Sequence, residues 1–190
     1  MIFLRDDLTE IAKILRDGGV ICAPTDTIWG LSCDATNPAA VERISEIKQR
    51  PPEKGYVVLV SDLEMLKNHV SFVPPRLETL LDYHLRPLTI IYDEGENLPK
   101  SVLGPNGSVA IRIVRDDFCK ELIEKLGRPI VSTSANVSNE PFPKNFGGIA
   151  SNVLQACDYV VRHRQGDSAI GEPSTIGRLD AFQELEFLRE

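Results

Sequence analysis

Apolar and polar positions repeat with two different periods along this chain, and the periods trade places several times. Leu8, Ile11, Ala12 and Leu15 recur at helical spacing, and Gly18-Gly19 supplies a left-handed stop for the helix they predict. Val20 to Ala23 follows as a short unbroken apolar run, which reads as a buried strand. Asn37-Pro38 then offers an N-cap with proline in the first turn, and Ala40, Val41, Ile44 and Ile47 form one apolar stripe leading to Lys48. Strands are predicted at Tyr56 to Val60, Leu88 to Tyr92 and Val109 to Ile113, with a helix at Pro75 to Leu85. Phe118, Leu122, Ile123 and Leu126 make a further helical face that closes at Gly127. Pro129 to Val131 is a short strand running into Ser132-Thr133-Ser134-Ala135-Asn136, and an irregular Gly/Pro/Asn-rich stretch continues to Gly148. Strands return at Asp158 to Val161, Ser174 to Ile176 and Glu184 to Leu188. Helices alternate with strands until Gly166 and then drop out, which predicts an α/β fold with a mixed sheet rather than a purely doubly wound one. No repeat or linker divides the chain, so residues 1–190 are expected to form a single domain.

Charge narrows the function classes. A net charge of −7 argues against a chain whose main task is coating a phosphate backbone, although a local basic groove stays compatible with it. The N-terminal MIFLRDDLTE lacks a signal-peptide pattern, and the apolar runs are too short to span a bilayer. A cytoplasmic location with no membrane partner is expected. Cys22, Cys33, Cys119 and Cys157 fit no CxxC or disulfide spacing and read as reduced, mostly buried thiols. His69, His84 and His163 show no metal-ligand spacing, so no metal site made of protein side chains is expected.

Four segments and one arginine carry candidate chemistry. Lys48, Arg50 and Lys54 place three cations within seven residues at the end of a predicted helix. They could clamp phosphates in a chain that has neither a GxxxxGK[ST] loop nor a GxGxxG fingerprint; on charge pattern alone, complementing the helix dipole is the simpler account. Pro24-Thr25-Asp26-Thr27 follows a buried strand and offers hydroxyls and a carboxylate for a small polar ligand, or else a turn that bonds its own backbone. Ser132 to Asn136 offers convergent hydroxyls and successive N–H groups able to form an anion nest. Gly171-Glu172-Pro173-Ser174-Thr175-Ile176 places two hydroxyls at a strand entry, which an ordinary hairpin would also do. Arg112, facing opposite to its strand neighbours, needs an anion: a ligand carboxylate or phosphate, or an acidic side chain on the same sheet face.

Taken in order, PTDTIWGLSCDA, IKQRPPEKG, RPLTIIY, VAIRI, PIVSTSAN and GEPSTI resemble the YrdC/TsaC family of threonylcarbamoyl-AMP synthases, in its short bacterial form. The resemblance implies an open, twisted mixed sheet flanked by helices, with a concave, positively lined cavity. It implies that L-threonine, bicarbonate or CO2, and ATP give threonylcarbamoyl-AMP and pyrophosphate, used to modify adenosine beside the tRNA anticodon. Lys48 and Arg50 are then the catalytic cations, joined by Lys54 on the triphosphate. Thr25, Arg112, Ser132 and Ser174 lie on the threonine side, and Thr89, Ser134, Asn136 and Arg189 on the nucleotide side. Mg2+ accompanies ATP, and no tightly bound organic cofactor is expected. The implied partners are the proteins that transfer the threonylcarbamoyl group to tRNA; weak tRNA binding stays open. Longer members carry a further C-terminal domain, which this chain is expected to lack. Two positions depart from the pattern: Arg86 stands where many members have glycine, and Phe142 where some have serine. Two other readings remain: an RNA-binding or ribosome-maturation factor, and a paralogue of the same fold using a different carbamoyl-adenylate substrate.

Overall fold

The computed structural model describes residues 6–50, 55–168, 170–180 and 184–189. Its elements run α1 (Leu8–Arg16), β1 (Ile21–Ala23), β2 (Gly30–Asp34), α2 (Pro38–Lys48), β3 (Val57–Val60), α3 (Leu63–Lys67), α4 (Pro75–Tyr83), β4 (Leu88–Tyr92), β5 (Val109–Ile113), α5 (Asp117–Leu126), β6 (Ile130–Ser134), α6 (Ser151–Gln155), β7 (Tyr159–Val160), β8 (Thr175–Leu179) and β9 (Leu185–Arg189). All nine strands join one mixed sheet in the order β7-β1-β2-β6-β3-β5-β4-β8-β9. The β1–β7, β3–β5 and β4–β8 pairs are parallel and the others antiparallel.

Local signals set the helix ends. Asp7 caps α1 by accepting from the Thr9 N–H, Asn37 caps α2 ahead of Pro38, and Asp116 caps α5 through the Cys119 N–H. Gly127, at φ +72°, closes α5 in the left-handed region. At the end of α2 it is Gln49 that turns left-handed, with φ 49°, so the chain reverses directly after Lys48.

Strand alternation divides the core between the two faces of the sheet. Val20, Cys22, Val58, Val60, Ile111 and Val131 pack with α2 and α4 on one face. Ile21, Ala23, Leu59 and Ile130 pack with α1 and α5 on the other. On that second face α1 and α5 cover only part of the sheet. The register pairs Leu59 with Arg112, Val57 with Ser132 and Thr89 with Ile176, so these side chains share the α1/α5 face. Polar residues there, beyond the reach of the two helices, make the floor of a cavity.

Three elements escape the sequence pattern. β2 was not predicted; its five residues are all buried and it forms a hairpin with β1. The short helices α3 and α6 have five residues each, too few to establish a period. The predicted helix from Pro75 stops at Tyr83, and the strand after Pro129 continues through Ser134. Among the described residues, no helix is long and apolar enough to cross a membrane.

Candidate active site

Two adjoining cavities open on the α1/α5 face. The smaller, about 230 Å3, is floored by strand residues Val57, Arg112, Ser132, Ser134 and Ile176 and rimmed by Arg50, Tyr56 and Phe142. The larger, about 910 Å3, is walled by loops: the turn 24–29, Arg86, Lys144, Arg164 and the segment 170–173. Thr27, Ile28, Pro173 and Arg189 border both. Gly30 and Gly171 permit this geometry. A Cβ at Gly30 would stand 3.1 Å from Ser132 Oγ and 2.9 Å from the Thr133 carbonyl oxygen, and one at Gly171 would run into the Thr27 carbonyl.

The cationic cluster splits into two environments. Lys48 was expected to be exposed to the cavity, yet it is only 2% exposed and borders neither cavity. Its ammonium donates to the carbonyls of Ser134 and Asn136, each at 2.6 Å, bracing the end of β6 from behind. Burial, reinforced by the charge of Arg50, draws its pKa down to about 8. Arg50, past the Gln49 reversal, does reach the smaller cavity. It donates to the Gly55 carbonyl at 2.6 Å and stacks 4.6 Å from the centre of the Tyr56 ring. Burial lowers its pKa, which marks a cation held partly away from water. Lys54 lies outside the described residues.

Arg112 is buried in β5, with Nη2 3.1 Å from Asp26 Oδ1 and 3.3 Å from Thr27 Oγ1. Its partner acid comes from the β1–β2 turn, whereas the sequence had left open a ligand anion or an acid on the same sheet face. Thr25 is 3% exposed and committed to that turn: its hydroxyl donates to the Ile28 carbonyl, accepts from the Thr27 N–H and contacts Thr27 Oγ1 at 2.9 Å. Thr27, one of the two hydroxyls the sequence offered for a ligand, is thus the threonine that meets Arg112, whereas the resemblance implied Thr25 alone on that side. Arg164, which the sequence did not single out, anchors the turn from outside by bonding the Thr25 carbonyl, Asp116 and Asp167.

Ser132 and Ser134 both face the smaller cavity because they sit two apart on a strand. The anion nest expected from successive N–H groups does not form, because the Ala135 N–H bonds the Trp29 carbonyl and the Asn136 N–H bonds the Ser134 carbonyl. The Asn136 side-chain amide is likewise turned onto the Val137 and Glu140 carbonyls. Ser174 borders the smaller cavity, and Thr89, fully buried, lies behind it with Oγ1 2.8 Å from Ser174 Oγ. Thr89 supports Ser174 instead of facing a ligand. Arg189 holds the other side of Ser174, donating to its carbonyl from Nε and Nη2 at 3.2 and 2.8 Å. The structure thus brings Arg50, Arg112, Ser132, Ser134, Ser174 and Arg189 around one small cavity and puts Lys48, Thr25 and Thr89 in support of it.

Comparison with known proteins places this geometry in context. The Sua5/YciO/YrdC family model, described as telomere recombination, matches residues 13–190. A relative named threonylcarbamoyl-AMP synthase, from Xanthomonas euvesicatoria pv. vesicatoria, is 35% identical over 90% of this chain and 91% of its own length. Among solved structures, the H234A/Y235A variant of P. abyssi Sua5 superposes with a TM-score of 0.88 at 28% identity, over 99% of this chain and 58% of that one. P. abyssi Sua5 complexed with L-threonine superposes with a TM-score of 0.80 at 28% identity, over 90% of this chain and 50% of that one. This chain therefore spans roughly half the length of Sua5 and nearly the full length of the curated relative.

Proposed function

Because the chain belongs to the Sua5/YciO/YrdC family, we propose that it is an L-threonylcarbamoyladenylate synthase, a nucleotidyltransferase acting on L-threonine, bicarbonate or CO2, and ATP. One observation carries the reading beyond family membership: a single cavity is bordered by a buried arginine, by strand hydroxyls and by a half-buried arginine. Arg112, Ser132 and Ser174 suit a small carboxylate with a hydroxyl. Arg50 and Arg189 suit phosphate oxygens.

The chemistry asks for little proton transfer. A threonine carbamate is an ionised carboxylate, able to attack the α-phosphate of ATP without a general base, and pyrophosphate leaves. The chain's contribution is to align the two ligands and neutralise charge on the departing phosphates. Ser132, on the outermost of the floor strands, is read as lying between the two ligands. Lys48 acts through the backbone, fixing where Ser134 presents its hydroxyl. Mg2+ is proposed to arrive with ATP and bind through phosphate oxygens. Residues 1–190 are read as one domain acting in the cytoplasm, and the product is read as passing to the proteins that modify tRNA.

The test is product identification. Purified protein with ATP, threonine and labelled bicarbonate is expected to yield a labelled adenylate of threonylcarbamoyl mass. Salt-dependent RNA binding with no such product would favour the RNA-binding reading, and a labelled adenylate of another amino acid the paralogue.

A further inference from the structure

The β1–β2 turn brings Asp26 and Thr27 onto Arg112, so the direction of that guanidinium depends on where the turn is held. Its own tethers to the start of α5 are weak. The Cys119 thiol, a poor donor, reaches the Pro24 carbonyl at 3.3 Å, and the Arg115 N–H reaches Asp26 Oδ2 at 3.3 Å. A charged tether comes from elsewhere in the chain. Arg164 Nη1 donates to the Thr25 carbonyl at 3.2 Å and to Asp116 Oδ2 at 3.0 Å, and its Nε donates to Asp167 Oδ2 at 3.1 Å. One guanidinium therefore joins three segments distant in sequence: the turn, the N-cap of α5 and the loop 162–167 beyond β7.

The backbone at Arg164 resists this placement. Its φ of 63° lies in the left-handed region, which suits glycine and strains an arginine. Such strain persists only where the surroundings over-determine it, and the loop is firmly based. Asp6 accepts from the Arg162 and His163 N–H groups at 3.0 and 2.7 Å, and the Gln165 amide donates to the Val161 carbonyl at 2.8 Å. We propose that Arg164 is a positioning residue for the amino-acid side of the site. It pins the turn to α5 and so fixes Thr27 against Arg112, without touching substrate itself. This rests on the threonine reading above. The phosphate side does not depend on the pin, because Arg50 is carried by the end of α2 and held by the Gly55 carbonyl and the Tyr56 ring.

The test is steady-state pyrophosphate release by Arg164→Gly and Asp116→Asn in the whole chain, with threonine and ATP varied in turn. Glycine accepts the left-handed backbone, so the first variant loses the side chain and keeps the path of the loop. Asparagine still caps α5, so the second removes only the carboxylate facing Arg164, and it is read alone where the glycine variant fails to fold. In Arg164→Gly the KM for threonine is expected to rise by about 10-fold or more, with kcat within about threefold of wild type and the KM for ATP within about twofold. In Asp116→Asn the KM for threonine is expected to rise by about threefold, again without the KM for ATP. Both KM values rising together with a lower melting temperature would make Arg164 a structural ion pair and overturn the proposal. A rise in the KM for ATP alone would make it a nucleotide contact at the larger cavity, and no change in either would show that the turn holds itself; each overturns it as well. These outcomes leave the functional reading standing, whereas a wild type whose pyrophosphate release ignores threonine removes that reading and this assignment together.

Discussion

The two adjoining cavities are built by opposite means. The smaller takes its floor from strands β3, β5, β6 and β8, where the pleat fixes the direction of each side chain and the register fixes its neighbours. Arg112 and Ser132 are only 5% and 8% exposed. The larger is walled by loops, and its cations Arg86 and Lys144 are exposed side chains. Strand-borne groups are pre-positioned and costly to disturb, which suits the charge alignment an adenylation needs. Loop-borne groups can be exchanged with little effect on the fold.

The contrast can be broken most forcefully at Arg112. Arg112→Ala strands the buried Asp26 carboxylate, so unfolding stability should fall by about 3 kcal/mol in a denaturant titration, with turnover lost. Next comes Arg50→Ala, which removes a rim cation without opening the core. Its melting temperature should stay near wild type while pyrophosphate release falls by about 100-fold or more. Unchanged kinetics would return Arg50 to the role of helix-end decoration.

Lys48 sharpens the comparison through pH. Its pKa in the fold, about 8, lies below the ordinary lysine value of 10.5, so the unfolded chain binds more protons between those limits. The charged form is penalised by burial, and that penalty is relieved as pH rises through the folded pKa. Stability of the wild type relative to Lys48→Met should therefore increase between pH ~7 and ~9.5, by about 1–2 kcal/mol. A flat difference would mean that the carbonyls of Ser134 and Asn136 fully offset the burial. The smallest effect is expected in the loop-built wall, where Arg86→Gly should change stability by no more than about 0.5 kcal/mol.

The same contrast explains what the sequence made legible. Arg112 stood out because a strand of apolar residues cannot leave a guanidinium without an anion, and Ser132 and Ser134 because they share a strand face. The period of β2 was masked by Gly30, Ser32 and Asp34, and Asp34 is fully buried because Thr36 and Arg128 bond its carboxylate. The burial of Lys48 was not legible either. A lysine at a helix end reads as exposed unless the chain beyond it is known to reverse, and here Gln49 makes that reversal in a conformation that favours glycine. Thr25 and Thr27 are equivalent in pattern; a turn hydrogen bond sends one inward to the Ile28 carbonyl and leaves the other facing Arg112.

Pyrophosphate release from ATP, followed with threonine and bicarbonate omitted in turn, tests the account at its centre. The account predicts release only when both are present, and its loss in Arg112→Lys, where the bidentate fork is gone but the charge remains. Release that is independent of threonine, or no release under any condition, would contradict it.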